Sequence, residues 1–68
     1  MDQVRIGEFI AKTRKEKGYT QKELAEKVRL SDKAVSKWER GNSMPDISVM
    51  MDLCEVLDLD INEDLNRD

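Results

Sequence analysis

The start of the chain shows the 3.6-residue spacing of apolar positions that is typical of an amphipathic helix. Four residues carry this spacing: Ile6, Phe9, Ile10 and Thr13. Gly18 follows at a place where helices commonly end in a left-handed residue. The pattern predicts a helix over about residues 3–17 with this stripe, Phe9 included, facing the core.

Two short helices are predicted next, each with its own start signal. Thr20 and Glu23 form a capping box, in which the Thr hydroxyl and the Glu carboxylate satisfy free backbone amides of the first turn. Ser31 is a favourable N-cap for the following helix. The helices are expected over about residues 21–28 and 32–40. The residues predicted to point inward are Leu24, Ala25, Val28, Val35 and Trp38.

A fourth helix is predicted after a short loop, over about residues 46–58. Pro45 disfavours helix in the residue before it and, with Asp46, suits the first turn of a new helix. Its inner stripe is predicted to be Ile47, Met50, Leu53, Cys54 and Leu57. A final short helix is expected over about residues 62–66. The chain is therefore predicted to be all-α, one compact domain of four to five helices spanning residues 1–68.

Charge is distributed unevenly along the chain. The net charge is −3, from 12 Lys and Arg against 15 Asp and Glu. Residues 1–45 hold 11 basic and 7 acidic side chains, a balance of +4, whereas residues 46–68 hold 1 and 8, a balance of −7. The basic part has the charge expected of a nucleic-acid partner, and the acidic part suggests a different role.

The residue types present argue against several classes of function. The chain has no His and a single cysteine, Cys54, so it offers no disulfide and no plausible zinc ligand set. We expect no metal, no cofactor and no enzymatic activity, because no nucleophile is paired with a base. No apolar run is long enough to cross a bilayer, and the N-terminus does not resemble a secretion signal, so we expect a cytoplasmic protein without a membrane partner.

The second and third helices have the spacing of a steeply crossing helix pair. They are joined by only a few residues, and such a crossing needs a small side chain where the helices approach. Counting Gln21 as position one, Ala25 is at five, Arg29 at nine, Val35 at fifteen and Trp38 at eighteen. This spacing packs a two-helix unit against the first helix, so we predict a helix-turn-helix formed by helices two and three.

Residues 4–65 resemble the Cro/repressor (XRE) family of lambda-repressor-like helix-turn-helix proteins. The matching positions are Thr20-Gln21, Leu24-Ala25, Ser31, Val35-Ser36, Trp38-Glu39, Gly41 and Pro45-Asp46. The resemblance implies a five-helix domain whose recognition helix, residues 32–40, lies in the major groove of double-stranded DNA.

Carried over by position, the resemblance implies that four residues face the bases: Asp32, Lys33, Ser36 and Lys37. Lys33 and Lys37 can donate to guanine O6 and N7, although a Lys reaches a phosphate equally well. Asp32 can accept from a cytosine amine or orient a neighbouring Lys. The expected preference is for G·C pairs.

The resemblance also implies contacts to the DNA backbone. Gln21 occupies the place of a family residue that reaches a phosphate oxygen at the start of the second helix. Ala34 is expected close to the backbone or to a thymine methyl. The complete set of expected backbone contacts is Gln21, Lys22, Ala34, Arg40, Asn42 and Ser43.

Other positions are expected to be structural. Arg14 and Glu39 match a family pair that forms a salt bridge between helix one and the end of helix three, while Ala25, Val35 and Trp38 are expected in the core. The sequence departs from the family at two places. Arg29 occupies a turn position that is usually Gly, and Thr13 one that is commonly Leu.

Self-association is expected near the acidic end. The family's usual dimer surface suggests contacts by Val56, Leu59, Ile61 and Leu65. Val49 and Val56, off the predicted inner stripe, could form an apolar patch for such a contact. Because carboxylates surround this region, we expect a homodimer that is weak or requires DNA.

The function expected from these features is sequence-specific DNA binding by a small, repressor-like transcriptional regulator from a bacterium or a phage. The alternative is a protein-interaction module, such as an antitoxin-like protein, that binds a basic protein partner through its acidic C-terminal face. The two functions can coexist in one chain.

Overall fold

The computed structural model describes residues 2–59, which form four α-helices and no strand. The helices are α1 (Gln3–Glu16), α2 (Gln21–Lys27), α3 (Asp32–Glu39) and α4 (Ile47–Val56). This confirms the all-α prediction and places the first three helices within a residue of their expected bounds. The predicted helix over residues 62–66 lies outside the described residues. None of the described helices combines the length and apolar character needed to cross a membrane.

Each helix starts at a side chain that caps its first turn. Thr20 and Glu23 form the predicted capping box, with Thr20 Oγ1 accepting from the Glu23 amide at 3.0 Å and Glu23 Oε1 accepting from the Thr20 amide at 2.8 Å. Asp2, Ser31 and Asp46 cap α1, α3 and α4 by accepting from the amides of Val4, Ala34 and Val49, without the reciprocal bond of a capping box. Pro45 and Asp46 therefore precede α4 and do not form its first turn, which corrects the predicted start at residue 46.

All four helices end in the same backbone motif, in which the amide two residues beyond the cap donates to a carbonyl in the last turn. These bonds run from Tyr19 to Arg14, Leu30 to Ala25, Asn42 to Lys37 and Leu59 to Cys54, at 2.8–3.1 Å. The motif needs a left-handed residue between cap and donor. Gly18 and Gly41 supply it after α1 and α3, as predicted, but Arg29 and Asp58 supply it after α2 and α4, with φ of 61° and 57°.

The core lies where α3 packs between α1 and α2, with α4 closing it. Its eight buried hydrophobic residues are Ile10, Leu24, Ala25, Val28, Val35, Trp38, Leu53 and Leu57. All five inward residues predicted for α2 and α3 are among them. Ala25 is 1% exposed within this packing, and a larger side chain at a close-packed position would strain the contact of α2 with α3.

Two residues predicted to face the core are on the surface instead. Phe9 is 44% exposed, and it lies about 100° around α1 from the buried Ile10. Ile47 is 82% exposed at the start of α4. The inner stripe of α4 is rotated toward Val49 and Val56, which pack against the core, so these two valines do not form the free apolar patch that was expected.

Gly7 permits a close approach of α1 to α3 that the sequence pattern did not reveal. A Cβ at Gly7 would lie 1.9 Å from the carbonyl oxygen of Trp38, well inside van der Waals contact. Thr13, the second departure from the family, is buried, and its hydroxyl donates to the carbonyls of Phe9 at 2.8 Å and Ile10 at 3.2 Å. Its polar atom is therefore satisfied within the helix, which explains how it replaces an apolar residue.

Replacing Arg29 by Gly should stabilise the fold. A side chain at positive φ costs roughly 1 kcal/mol, and Gly avoids this cost. Part of the benefit is offset because Gly gives the unfolded chain more conformational entropy. We expect Arg29→Gly to raise the free energy of unfolding by about 0.5 kcal/mol in urea titrations. Arg29→Ala is the control, because it removes the same charge but keeps the Cβ. Equal stability of the two variants would contradict strain at this position.

Candidate nucleic-acid interface

The exposed side of α3 carries most of the residues that were predicted to face bases. Asp32, Lys33 and Lys37 are exposed and Ser36 is half-buried. The opposite side of the helix carries the fully buried Val35 and Trp38. Because the buried side is held by α1 and α2, the exposed side is presented on a rigid support.

The cationic side chains of α3 are available for a partner. Lys33 and Lys37 make no ion pair with another described residue, so Asp32 does not hold either Lys in this structure. Arg40 is exposed, and its Nε donates to the carbonyl of Ser36 at 3.3 Å, which folds the guanidinium back along the last turn of α3. The exposed surface of α3 and its C-terminus is therefore dominated by positive charge.

Gln21, the first residue of α2, is held against the end of α3. Its Nε2 donates to Glu39 Oε1 at 3.0 Å, and the side chain is half-buried. A primary amide has two N–H donors and a carbonyl acceptor, so this bond leaves one donor and the acceptor of Gln21 for another group. Lys22, next along the helix, is exposed.

The loop after α3 carries the remaining candidates and is fixed to the start of α1. Asn42 is exposed and Ser43 half-buried. Gln3 Nε2 donates to the carbonyl of Gly41 at 2.6 Å, and Val4 packs so closely on Gly41 that a Cβ there would lie 2.8 Å from Val4 Cγ2. The sequence pattern gave no signal for this contact, because Gln3 is simply a polar residue in a first helical turn.

Ala34 differs from the other candidates for backbone contact. It is half-buried on α3 and packs against the core, and its amide donates to the capping Ser31 Oγ at 3.3 Å. Only part of its small side chain faces solvent. Any contact it makes is therefore limited to close approach of its methyl group, as expected for a neighbour of the DNA backbone or of a thymine methyl.

Arg14 and Glu39 form the salt bridge that the sequence predicted, and it is the central polar contact of this region. Arg14 Nε lies 2.6 Å from Glu39 Oε2, and Arg14 Nη2 donates to Glu39 Oε1 at 3.0 Å. Arg14 Nη1 donates to the carbonyl of Tyr19 at 2.8 Å. With the bond from Gln21, this network joins α1, the loop before α2, the first residue of α2 and the last residue of α3.

The network also shifts the protonation equilibria of its members. Burial alone would raise the pKa of the Glu39 carboxyl, but hydrogen bonds from Arg14 and Gln21 and the charges of Arg14 and Lys15 outweigh it, so this pKa lies below its ordinary value. The hydrogen bond to Glu39 likewise raises the pKa of Arg14. Both side chains therefore stay charged at neutral pH, and each compensates the other.

The residues expected at a dimer contact are not gathered on an open surface in the described part of the chain. Val56 and Leu59 are half-buried and pack against the core. Ile61 and Leu65 lie outside the described residues. Cys54, predicted to be a small buried residue, is half-buried. No cluster of three potential metal ligands occurs within residues 2–59.

Two short helices that cross over a small buried Ala, with a basic exposed face on the second, define a helix-turn-helix protein. A family model described as Helix-turn-helix (HTH_3) matches residues 10–63, and the chain belongs to this family. The resemblance on which the sequence analysis relied is thereby confirmed.

Known proteins are similar over most of the chain. The chain is 35% identical over 57 residues to YazB of Bacillus subtilis, an uncharacterized HTH-type transcriptional regulator, covering 84% of this chain and 83% of YazB. Two crystal structures of the clp gene regulator ClgR from Corynebacterium glutamicum have the same fold. One has a TM-score of 0.83 at 27% identity and covers 93% of this chain and 81% of ClgR. The other has a TM-score of 0.84 at 28% identity, covering 96% and 69%.

The Arg14–Glu39 pair predicts a defined pH dependence of stability. A carboxyl whose pKa is lowered by folding stabilises the fold at pH values above its unfolded-state pKa, and this contribution is lost as the pH falls through the folded-state pKa. The ordinary value for Glu39 is 4.5. Below that pH, the free energy of unfolding of the wild type should therefore fall more steeply than the free energy of unfolding of the Glu39→Gln variant. Urea titrations over a pH series measure both.

The control for this pH series is Glu8→Gln, which removes an exposed carboxylate of α1 that forms no ion pair with another described residue. Its profile should run parallel to that of the wild type. Parallel profiles for Glu39→Gln and the wild type would show that the pair adds nothing to stability in this pH range.

Proposed function

We propose that the protein is a transcriptional regulator that binds specific DNA sequences by inserting α3 into the major groove. The observation that carries this proposal is the exposed face of α3, where Lys33 and Lys37 form no ion pair with any residue of the described range 2–59, on a helix whose other face is buried in the core. Membership of the helix-turn-helix family supports it, and so do the names of the two relatives, one a transcriptional regulator and the other a gene regulator.

Base readout is assigned to the exposed residues of α3. Lys33 and Lys37 are long enough to reach guanine O6 and N7, Asp32 can accept from a cytosine N4 amine, and the Ser36 hydroxyl can donate or accept. Because Asp32 is not held by a Lys, its carboxylate is free to take this role. The set as a whole favours G·C pairs.

Backbone contacts are assigned to both ends of the helix-turn-helix. Gln21 keeps one N–H donor after its bond to Glu39, which suits a phosphate oxygen next to α2. Lys22 and Arg40 supply positive charge on either side, and Asn42 and Ser43 offer polar groups from the loop. Ala34 lets the backbone approach closely. These contacts carry no sequence information but set the position of α3 on the duplex.

The protein binds DNA despite its negative net charge because the two signs are separated along the chain. Every basic residue but one lies within residues 1–45. Binding through this part releases counterions and therefore weakens as salt increases. The acidic remainder lowers the overall attraction of the protein to DNA, which limits non-specific binding.

We propose that the protein acts as a binder without catalysis in the cytoplasm, and that it pairs weakly or only on DNA. The half-buried Val56 and Leu59, together with Ile61 and Leu65, are the candidate contacts. The exposed Asp58, whose side chain is 87% accessible, places negative charge beside them and weakens any pairing in the absence of DNA.

Selection of bound sequences from a random duplex library, at a low and a physiological salt concentration, tests the proposed function. We expect enrichment of a G·C-containing motif, and a pseudo-palindrome with half-sites about one helical turn apart if the protein pairs on DNA. Titration of the enriched duplex should show an affinity that falls with salt. A library with no enrichment at either salt would contradict DNA reading and favour a protein-interaction module.

Two substitutions distinguish base readout from backbone contact. Lys37→Ala should cost about 1 to 3 kcal/mol on the best site and little on unrelated duplexes, because a base contact is lost. Arg40→Ala should weaken binding to all duplexes alike and flatten the dependence of affinity on salt. Fluorescence anisotropy with the selected and a scrambled duplex measures both. An equal loss on both duplexes for Lys37→Ala would assign Lys37 to phosphate.

A further inference from the structure

Two adjacent side chains on α4 form the most exposed apolar surface among the described residues. Ile47 is 82% exposed and Met51, one helical turn later, is 67% exposed. The other large hydrophobic side chains on the surface are at most half exposed, Val4 being the highest at 50%. Glu55, a further turn along, continues the same face. We call Ile47, Met51 and Glu55 the outer face of α4.

The charged residues of the chain segment that contains this outer face are all acidic. Between Gly41 and Leu59 the chain contains no Lys or Arg, and its charged residues are Asp46, Asp52, Glu55 and Asp58. Asp52 and Glu55 lie beside and beyond Met51 on the helix. Glu55 and Asp58 stand at the C-terminal end of α4, where the helix dipole is also negative and no basic residue of the last turn offsets it.

This arrangement is unfavourable for the isolated protein and is suited to a positively charged occupant. Carboxylates at a helix C-terminus destabilise the helix. Exposure of apolar side chains to water is also unfavourable. Among residues 2–59, the ion pair found in this region joins Lys17 to Asp58 at 3.7 Å; its side chains are 41% and 87% exposed, so it contributes little. A partner that brings cations and apolar groups would relieve both costs at once.

Several other occupants are disfavoured by charge. DNA carries the wrong sign for a surface whose own charged residues on α4, Asp52 and Glu55, are acidic. A two-fold contact between the outer faces of two copies would bring Asp52 and Glu55 of both copies into one interface, with no cation of α4 to offset the four carboxylates. Residues 60–68 of the chain carry Asp60, Glu63, Asp64 and Asp68 against one Arg, so their charge is not complementary either.

We propose that the outer face of α4 is a docking surface for a basic amphipathic helix of another protein. The apolar side of that helix packs on Ile47 and Met51, and Lys or Arg residues along its edges pair with Asp52 and Glu55. Methionine suits such a surface because its unbranched side chain adapts to different partners. The surface is separate from α3, so a regulator bound to DNA could recruit or be restrained by this partner.

Binding of model peptides to the full chain tests the proposal. The probe is a synthetic amphipathic helix with Leu on one face and Lys on the flanks, and its matched counterpart carries Glu in place of each Lys. We expect the Lys peptide to bind with an affinity that falls with salt, and to shift the amide NMR signals of α4. The Glu peptide should not bind.

Substitutions locate the binding surface. The double variant Ile47→Gln with Met51→Gln should weaken binding of the Lys peptide about tenfold or more, because the apolar contact is lost. Asp52→Asn with Glu55→Gln should weaken it and flatten its dependence on salt. The matched control is Leu30→Gln, which changes an exposed apolar residue outside α4 and should leave peptide binding unchanged.

The outcomes are separable from the proposed DNA function. Both α4 variants should bind the selected duplex as the wild type does, so loss of peptide binding with intact DNA binding supports the docking surface. The proposal is overturned if the Lys and Glu peptides bind equally, if the double variant binds the Lys peptide as well as Leu30→Gln does, or if the shifted signals lie outside α4. Self-association that the double variant abolishes would assign the face to a second copy instead.

Discussion

The bidentate contact between Arg14 and Glu39 is the constraint on which the arrangement of this helix-turn-helix depends. Two largely buried charges are costly to place out of water, so such a pair adds little net stability, but loss of either partner leaves the other uncompensated. Arg14 satisfies the carbonyl of Tyr19 and Glu39 accepts from Gln21. The pair therefore holds the end of α3 and the start of α2 in one fixed relation to α1.

Close backbone approach supports the same relation at the other end of α1. Gly7 lets α1 lie against the last turn of α3, and Gln3 ties the following loop through the carbonyl of Gly41. As a result α3 is held along its buried side and at its C-terminus while its outer side stays free. A recognition helix needs both a fixed buried side and an exposed outer side, because a rigid support places its side chains in register with the bases.

Charge divides the chain between two surfaces. The exposed cations of α3 suit a polyanion, whereas α4 carries only carboxylates around Ile47 and Met51. The family resemblance placed Lys33 and Lys37 on the DNA-facing side of α3, and the structure shows both exposed, opposite the buried Val35 and Trp38. The bond from Gln21 to Glu39 was not predictable, since it joins residues 18 positions apart on different helices. The resemblance to a family supplied the role of Gln21, and only the structure shows how its side chain is held.

The sequence by itself determined the features that depend on local interactions. These include the N-caps at Thr20 and Ser31, the left-handed ends at Gly18 and Gly41, and the inward residues of the two short helices, because each rests on contacts within a few residues or on one dominant stripe. The tertiary structure decided the rotation of α1 and α4. Phe9 and Ile47 fit a helical stripe as well as their neighbours do, yet they are exposed, because the neighbouring helices select which part of a wide apolar face is buried.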